Sequence, residues 1–458
     1  MDSGFLSDLK KSIRERIIPW EGLARSGTIS EDDASNIKLL EKSQGDQRAQ
    51  VVTSQLDGYV HTLLDVLSKV ADLGKTDVQK NVLTIINDLL LSSADFLNAT
   101  VKSQDPYSLF IKVLKGKNDP AVDVLALYDL TILMSKAAKS GNNEPSKDFL
   151  VTVFDRLSQF IGSKDANYQS LAVQLLQELL ITKSYKQVYA DNHMVQNYKP
   201  LDDLIAQLAK QAVGLQLLYN VLVTTWVLSF SASINKVLVR NYPDLIGLLL
   251  QIAKDLIKLK IVRISVAILR NFVEIAESAD SQFQIIKLLM FNDALLTLKV
   301  LRERKFAANS SDEELASDLA YLSEKLEEIV QTKLTSLDEY LTELENPNLL
   351  SWALPTHKSQ DFWMENAGKF KDNNYKLVNR VFDLLADSKV LTSGKVILLN
   401  DVQHLIKNLG SDLITYINTK NGGRDKLLVM NLLENSNGDN ELKYQALKTI
   451  QMLVGHDF

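Results

Sequence analysis

Cysteine is absent from the 458 residues. That excludes disulfides, thiolate metal sites and cysteine nucleophiles, and it fits a reducing compartment. Glycine and proline are scarce, at 18 and 8 residues, which suits long helices joined by short turns. A strong charge of either sign is also missing. The 51 basic and 57 acidic residues leave −6, shared equally between residues 1–333 and 334–458. Nucleic-acid binders carry a basic face, and these totals offer none, so no nucleic-acid partner is expected. The opening MDSGFLSDLKKSIRERII has no apolar core behind a basic start, so no signal peptide is expected. It also lacks the second-position glycine of a myristoylation signal.

From Gln211 to Asn235 no residue is charged, and the run is long enough to span a bilayer. Gln216, Asn220 and Thr224 recur in it at every fourth position. That pattern predicts a buried helix of a large α-protein, without direct membrane insertion. Trp226 is expected to fill the space between neighbouring repeats.

Motifs that carry chemistry are missing too. TSGKV at 392–396 has the Gly-Lys pair of a phosphate loop, but Lys389 stands where the first glycine is needed, so backbone N–H groups cannot wrap a phosphate there. There is no G-x-S-x-G, G-x-G-x-x-G or H-E-x-x-H. His61, His193, His357, His404 and His456 are scattered. His357 lies near Asp361, but two ligands do not hold a catalytic metal, and a solvated or capping histidine is expected. No catalytic, metal-binding or cofactor-binding residue is predicted, so the chain reads as a scaffold or binding protein. None of the four tryptophans has asparagine four residues on, which argues against a W-x-x-x-N ladder for basic import peptides.

What is present is helical periodicity almost everywhere, arranged in repeats. GKTDVQKNVLTIINDLLL begins at Gly74, GKNDPAVDVLALYDLTILM at Gly116 and GSKDANYQSLAVQLLQELL at Gly162. Each has a glycine, a short polar turn, an aspartate and an apolar helix. Glycine closes the preceding helix, Asp77, Asp119 and Asp165 are placed to cap the next, and Pro120 suits a first turn. A period of roughly 40–47 residues is that of HEAT and armadillo units. One unit cannot bury its own apolar face, whereas stacked units can. NYQSLAVQLLQELL at 167–180 is echoed by KYQALKTIQMLV at 443–454, again after glycine and aspartate. The expected fold is all-α: a right-handed superhelical solenoid over 1–333 and a smaller all-helical domain over 334–458.

Between the two, residues 311–345 are strongly acidic. SDEE at 311–314 has capping-box spacing, and Leu315, Leu319, Leu322, Leu326 and Ile329 form one apolar seam. Thr332, Lys333, Leu334, Thr335 and Ser336 make the expected interdomain joint, with Thr335 or Ser336 starting the next helix. LLSWALPTHKSQDFW at 349–363 then interrupts the helical pattern. Leu349, Leu350 and Trp352 are expected to anchor it, Pro355 to stop a helix, and Asp361 to cap the helix holding Trp363. Both indoles are expected to be buried.

Five blocks in order give the chain a family likeness: IRERIIPWEGLARSGTISEDDAS (13–35), GLQLLYNVLVTTWVLSFSASI (214–234), RERKFAANSSDEELASDLAYLSEKLEE (302–328), SLDEYLTELENPNLLSWALPTHKSQDFWMENAGKFKDNNYKL (336–377) and LKYQALKTIQMLVG (442–455). The sequence resembles the H subunit of the vacuolar-type proton ATPase (V-ATPase), particularly its fungal members. That resemblance implies a non-catalytic regulatory subunit of the cytosolic V1 sector, peripheral on vacuolar and other acidic-organelle membranes. It implies an N-terminal domain on the peripheral-stalk subunits E and G, and a C-terminal domain on the N-terminal part of membrane-sector subunit a. In detached V1 it implies contact with the catalytic sector's B subunit and the central rotor, a rotor–stator bridge that silences ATP hydrolysis. The loop between helices at 384–405 is shorter here than in some relatives. Asp387, Ser388, Lys389, Thr392, Ser393 and Lys395 are the candidate partner-binding residues, with the lysines meeting acidic groups. A generic armadillo-type adaptor for trafficking or signalling proteins is the alternative.

Overall fold

The computed structural model describes residues 4–43, 45–116, 119–211, 214–304, 312–332, 336–436 and 438–455. Helices dominate, and no strand occurs among the described residues. Packing divides the chain into two units, residues 1–277 and 278–458.

The first unit is a two-row helical stack. One row runs Leu56–Asp72, Ser108–Lys115, Lys147–Ile161, Met194–Ala209 and Asp244–Asp255; the other runs Thr76–Ser92, Pro120–Ser140, Ala166–Leu180, Leu215–Leu228 and Leu259–Glu274. Each helix packs on its partner in the other row and on the next helix of its own row. This is the armadillo/HEAT-like solenoid the sequence predicts. The Pro120–Ser140 helix shows why stacking is obligatory. Val122, Val124, Leu125, Leu127 and Leu130 point around its whole circumference, and all are buried, so only neighbours on every side can cover it.

The period is written into the polar contacts between repeats. Asn87 donates to Asp129 (2.7 Å), Asn143 to the Val101 carbonyl (2.9 Å), Asn197 to Asp155 (2.9 Å) and Asn271 to Ser229 (2.8 Å), each across 42 residues. Asn235 donates to the carbonyls of Ser229 (2.9 Å), Asn271 (3.4 Å) and Ile275 (3.2 Å). It thereby occupies the Ser229 and Ile275 carbonyls at the ends of two helices and shares that of Asn271 with the Ile275 N–H (2.8 Å).

Among the three repeat aspartates, two cap as the sequence predicts and one does not. Asp119 accepts from the Ala121 N–H (2.9 Å), Asp165 from Asn167 (2.8 Å) and, in the second unit, Asp439 from Glu441 (3.0 Å). Asp77 does not cap: its helix starts a residue earlier, at Thr76, after Lys75. The Asp77 carboxylate instead pairs with Arg16 at 2.7 Å. Gly74 has φ +61°, the left-handed conformation glycine favours, whereas Gly116 (−72°) and Gly162 (−79°) do not need it.

The uncharged stretch forms the 14-residue helix Leu215–Leu228. No single described helix is long and apolar enough to cross a membrane. Leu218, Val221, Leu222 and Thr225 face inward, and Thr225 meets the Tyr198 hydroxyl at 3.1 Å. Trp226 departs from expectation. It is only half-buried, set edge-on against Phe230 with ring centroids 4.9 Å apart, and Phe230 is 49 % exposed. The inward face passes through 218, 221, 222 and 225, and the next residue points about 100° away.

In the second unit the seam Leu315, Leu319, Leu322, Leu326 and Ile329 is buried as predicted. Asp312 accepts from the Leu315 N–H at 3.1 Å; Ser311 lies outside the described residues. The seam's helix, Glu313–Thr332, packs on Ala279–Phe291 and Ala294–Glu303, while a separate core cluster gathers Tyr340, Phe362, Trp363, Phe370 and Phe382. The 42-residue interval returns, with Gln403 donating to the Gln445 carbonyl (3.3 Å) and Tyr416 to that of Asn374 (3.3 Å).

Asn235→Ala removes the donor to three carbonyls across a repeat boundary. It is expected to cost about 1–3 kcal/mol. A lowered melting temperature with faster amide exchange in the last turn of Leu259–Glu274 is the expected result, and unchanged exchange there contradicts it.

Candidate functional site

The candidate loop is carried between the Asp372–Ala386 and Thr392–Leu409 helices. Asp387 ends the first helix, and its carboxylate accepts from the Lys389 N–H at 2.8 Å, shaping the turn. Ser388, Lys389, Leu391, Thr392 and Ser393 are exposed, and Asp387 and Lys395 are half-buried. Val390 turns inward and is buried. Gly394 explains the phosphate-loop likeness in packing terms. A Cβ there would lie 3.1 Å from Val390 and 3.5 Å from Leu350, so glycine admits both side chains. The segment therefore presents two lysines and one leucine on a backbone pinned at Val390.

The helix that follows the loop leads into a buried ionic network. His357 is fully buried. Its Nδ1 lies 3.0 Å from both oxygens of Asp401, and its Nε2 lies 2.7 Å from Glu343 Oε2. Tyr340 donates its hydroxyl to Asp401 at 3.0 Å, and Asn400 donates to the His357 carbonyl at 2.8 Å. This overturns the expectation of a solvated or capping histidine. Three segments meet on one residue: the Leu337–Glu345 helix, the Pro355–Lys358 turn, and the Thr392–Leu409 helix through residues 400 and 401. Burial pulls the His357 pKa down, but the Asp401 and Glu343 carboxylates raise it further, to about 10. The ring is an imidazolium at neutral pH. Burial, opposed by His357, pushes Glu343 above the usual carboxylate range. Burial and the Asp401 charge keep the Tyr340 hydroxyl protonated. With both ring nitrogens engaged and no exposed surface, the arrangement ties elements together and offers no nucleophile or ligand position.

The interrupted stretch at 349–363 builds part of this network. Leu350 is buried and Leu349 half-buried, and Pro355 opens a 3-10 turn. Trp363 is fully buried, edge-on to Tyr340 (5.4 Å) and stacked on His404 (5.6 Å). Trp352, expected to be buried, is half-buried beneath Lys358, whose ammonium lies 5.2 Å from the indole. Asp361 does not cap the Gln360–Asn366 helix. Ser359 does, accepting from the Phe362 N–H at 3.1 Å, and Asp361 sits two positions too late and exposed.

Of the expected joint, Thr332 is the last residue of the Glu313–Thr332 helix, and Ser336 caps Leu337–Glu345, accepting from the Glu339 N–H at 3.2 Å. Lys333, Leu334 and Thr335 lie outside the described residues. Across this stretch, Lys287 of the Ala279–Phe291 helix pairs with Glu339 at 2.9 Å, with 11 % and 10 % of the two side chains exposed. The Leu337–Glu345 helix is thus tied by Glu339 to a helix before the joint, and by Tyr340 and Glu343 to the His357 network. Sequence reasoning missed this network. The available signal was Glu343, a carboxylate on the same helical face as Tyr340 and Leu344.

Removing the imidazolium leaves two buried carboxylates unpaired. His357→Ala is expected to destabilise the second unit by about 3–5 kcal/mol. The His357 pKa is higher folded than unfolded, so its stabilisation is complete below about pH 6.5 and is lost as pH rises through about 10. The difference in melting temperature between wild type and variant is therefore largest near pH 6.5 and shrinks towards pH 10. A difference independent of pH contradicts the charged assignment.

Two family models, both describing the H subunit of the V-ATPase, match the chain over residues 4–326 and 333–458. The V-type proton ATPase H subunit of Drosophila melanogaster is 28% identical, covering 97% of this chain and 89% of that protein. The H subunit of Dictyostelium discoideum is 23% identical over 97% and 93%. A solved structure of importin beta is similar with a TM-score of 0.37 and 9% identity, covering 98% of this chain and 53% of that one. With the repeats, the central uncharged helix and both halves matched in order, the chain belongs to the family of V-ATPase H subunits.

Proposed function

We propose that the chain is a non-catalytic regulatory subunit of the V-type proton pump, coupling ATP hydrolysis to proton transport in the assembled enzyme and inhibiting hydrolysis by detached V1. Family membership over both halves is the observation that carries this reading. The N-terminal domain, taken as residues 1–333, binds peripheral-stalk subunits E and G. Residues 334–458 contact the N-terminal domain of subunit a, and in detached V1 they reach the B subunit and the central rotor. The protein works on the cytosolic face of vacuolar and other acidic-organelle membranes.

Inhibition by a bridge is mechanical. A contact between rotor and stator stops rotation only if the bridging element is stiff, and bistable change is concentrated at a joint. The joint is residues 332–336. The engaging element is the 387–395 loop, a reading supported by its exposed Lys389 and Leu391 and by the buried His357 network on the helix that follows it. Lys389 and Lys395 meet acidic groups of the catalytic sector or rotor.

The test adds purified protein to V1 lacking this subunit and follows magnesium-dependent ATP hydrolysis, which is expected to fall. Deleting the whole loop would remove buried Val390, so surface substitution is the cleaner probe. The double variant Lys389→Glu, Leu391→Ser is expected to weaken inhibition about tenfold or more while leaving the melting temperature within a degree or two of wild type, as expected for exposed positions. Full inhibition by that variant removes the loop from the mechanism. No inhibition by wild-type protein removes the inhibitory role itself.

A further inference from the structure

Far in sequence from that loop, the first unit holds a cavity of about 220 Å³ where the N-terminal segment meets the Thr76–Ser92 helix. Arg14, Arg16 and Arg48 line it. Arg48 is held in place by its Nε, which donates to the carbonyls of Leu40 and Ser43 at 3.0 Å each. Its Nη1 reaches Asp88 at 3.5 Å. Asp88 already receives Lys10 at 2.6 Å and Arg14 at 2.5 Å, so three cations converge on one carboxylate. Arg16 pairs with Asp77 at 2.7 Å, its side chain 66% exposed. Glu41, also at the wall, is engaged by the Trp20 indole N–H at 2.9 Å. The cations thus outnumber the carboxylates by one, counting Lys10 and Asp77 behind the lining.

The cavity wall has a second property that ion pairing does not explain. Thr84 and Asn81 line it, are 1% and 5% exposed, and each carries a buried oxygen with no hydrogen-bond partner, the Thr84 hydroxyl and the Asn81 carboxamide oxygen. Buried polar atoms without partners are rare because each costs its full desolvation. Two of these stand on one helix, beside three guanidinium groups. Guanidinium forks match the oxygens of a tetrahedral anion. A hydroxyl and a carboxamide, whose amide can turn to donate, supply neutral hydrogen bonds at its base. The volume admits a single small anionic group.

We propose that this cavity binds a phosphate monoester, with Arg14, Arg16 and Arg48 clasping the phosphate and Thr84 and Asn81 donating to it. Ile17, 93% exposed at the rim, sits where the organic part of such an ester emerges. A soluble metabolite and a lipid headgroup share this chemistry.

The experiment uses the full chain. Its melting temperature and tryptophan emission are followed with glycerol 3-phosphate against sodium chloride at matched ionic strength. Sedimentation is followed with phosphatidylcholine vesicles with and without phosphatidylinositol 4-phosphate. The expected result is a saturable rise in melting temperature with the phosphate ester alone. Arg16→Gln, at an exposed position, is expected to weaken binding about tenfold. Thr84→Val is expected to weaken it similarly while leaving the free protein at least as stable as wild type, because an unpartnered hydroxyl has been removed. Sedimentation only with the phosphoinositide vesicles assigns the site to a lipid headgroup; a response to glycerol 3-phosphate without sedimentation assigns it to a soluble ester. A response no larger than that to chloride, with no vesicle binding, overturns the proposal. So does a response equal in wild type and both variants.

Discussion

Each repeat helix must find cover for its apolar surface one repeat further along the chain, and the rest of the structure depends on that requirement. A helix such as Pro120–Ser140, buried around its circumference, has no stable existence alone. Isolated helices of this length are marginal in water, and packing supplies what propensity cannot. The interval then becomes a length, about one two-helix unit, and polar groups placed at that interval meet in the stack. The hydrogen bonds across 42 residues follow from this. Asn87 with Asp129 and Asn271 with Ser229 occupy positions that translation by one repeat brings together. Their role is register. Apolar surfaces slide at little cost, whereas a buried amide that loses its acceptor bears the full desolvation penalty.

The second unit uses the same repeat differently. Its polar contact is an imidazolium between two carboxylates, fully enclosed. A buried ion pair is poor evidence for net stability, because desolvating the charges opposes their attraction. An apolar core of the same volume could hold these helices as well. What the charged arrangement adds is intolerance of alternatives. Any shift of the Leu337–Glu345 helix against Thr392–Leu409 strands Glu343 or Asp401 without its cation. The segment beside the joint is thereby forced to move with the helix that follows the loop as one body.

The fold was legible in the sequence to the extent that it rests on periodicity and local chemistry. Glycine and aspartate at intervals near 42 marked the repeats, and the leucines from 315 to 326 marked a face that is buried. Capping read correctly at Asp119 and Asp165 but not at Asp77 or Asp361. Moving a helix start by one or two residues transfers the cap to a neighbour, and local pattern locates starts no better than that. Trp226 and Trp352 were misplaced for a related reason. Their helical phase or turn geometry decides exposure, and one residue of helix is a rotation of about 100°. The His357 network was not legible. Its carboxylates stand 14 and 44 residues away, and only the tertiary fold brings them together. The candidate loop's position was legible as a polar interval between helices; the inward turn of Val390 and the packing role of Gly394 were not.

Stiffness and exposure are therefore divided along the second unit. The exposed residues Lys389 and Leu391 lie just before, and Thr392 at the start of, the helix that carries Asp401 into the core. A force applied to the loop passes along that helix to the imidazolium, and from it through Glu343 to the Leu337–Glu345 helix. That helix carries Glu339, held by Lys287 on a preceding element. The chain of contacts is continuous, and each link is a charge pair or hydrogen bond buried enough to resist screening by salt. A flexible connector would dissipate the same force as loop motion. Any rearrangement that separates the Ala279–Phe291 and Leu337–Glu345 helices must first break the Lys287–Glu339 pair.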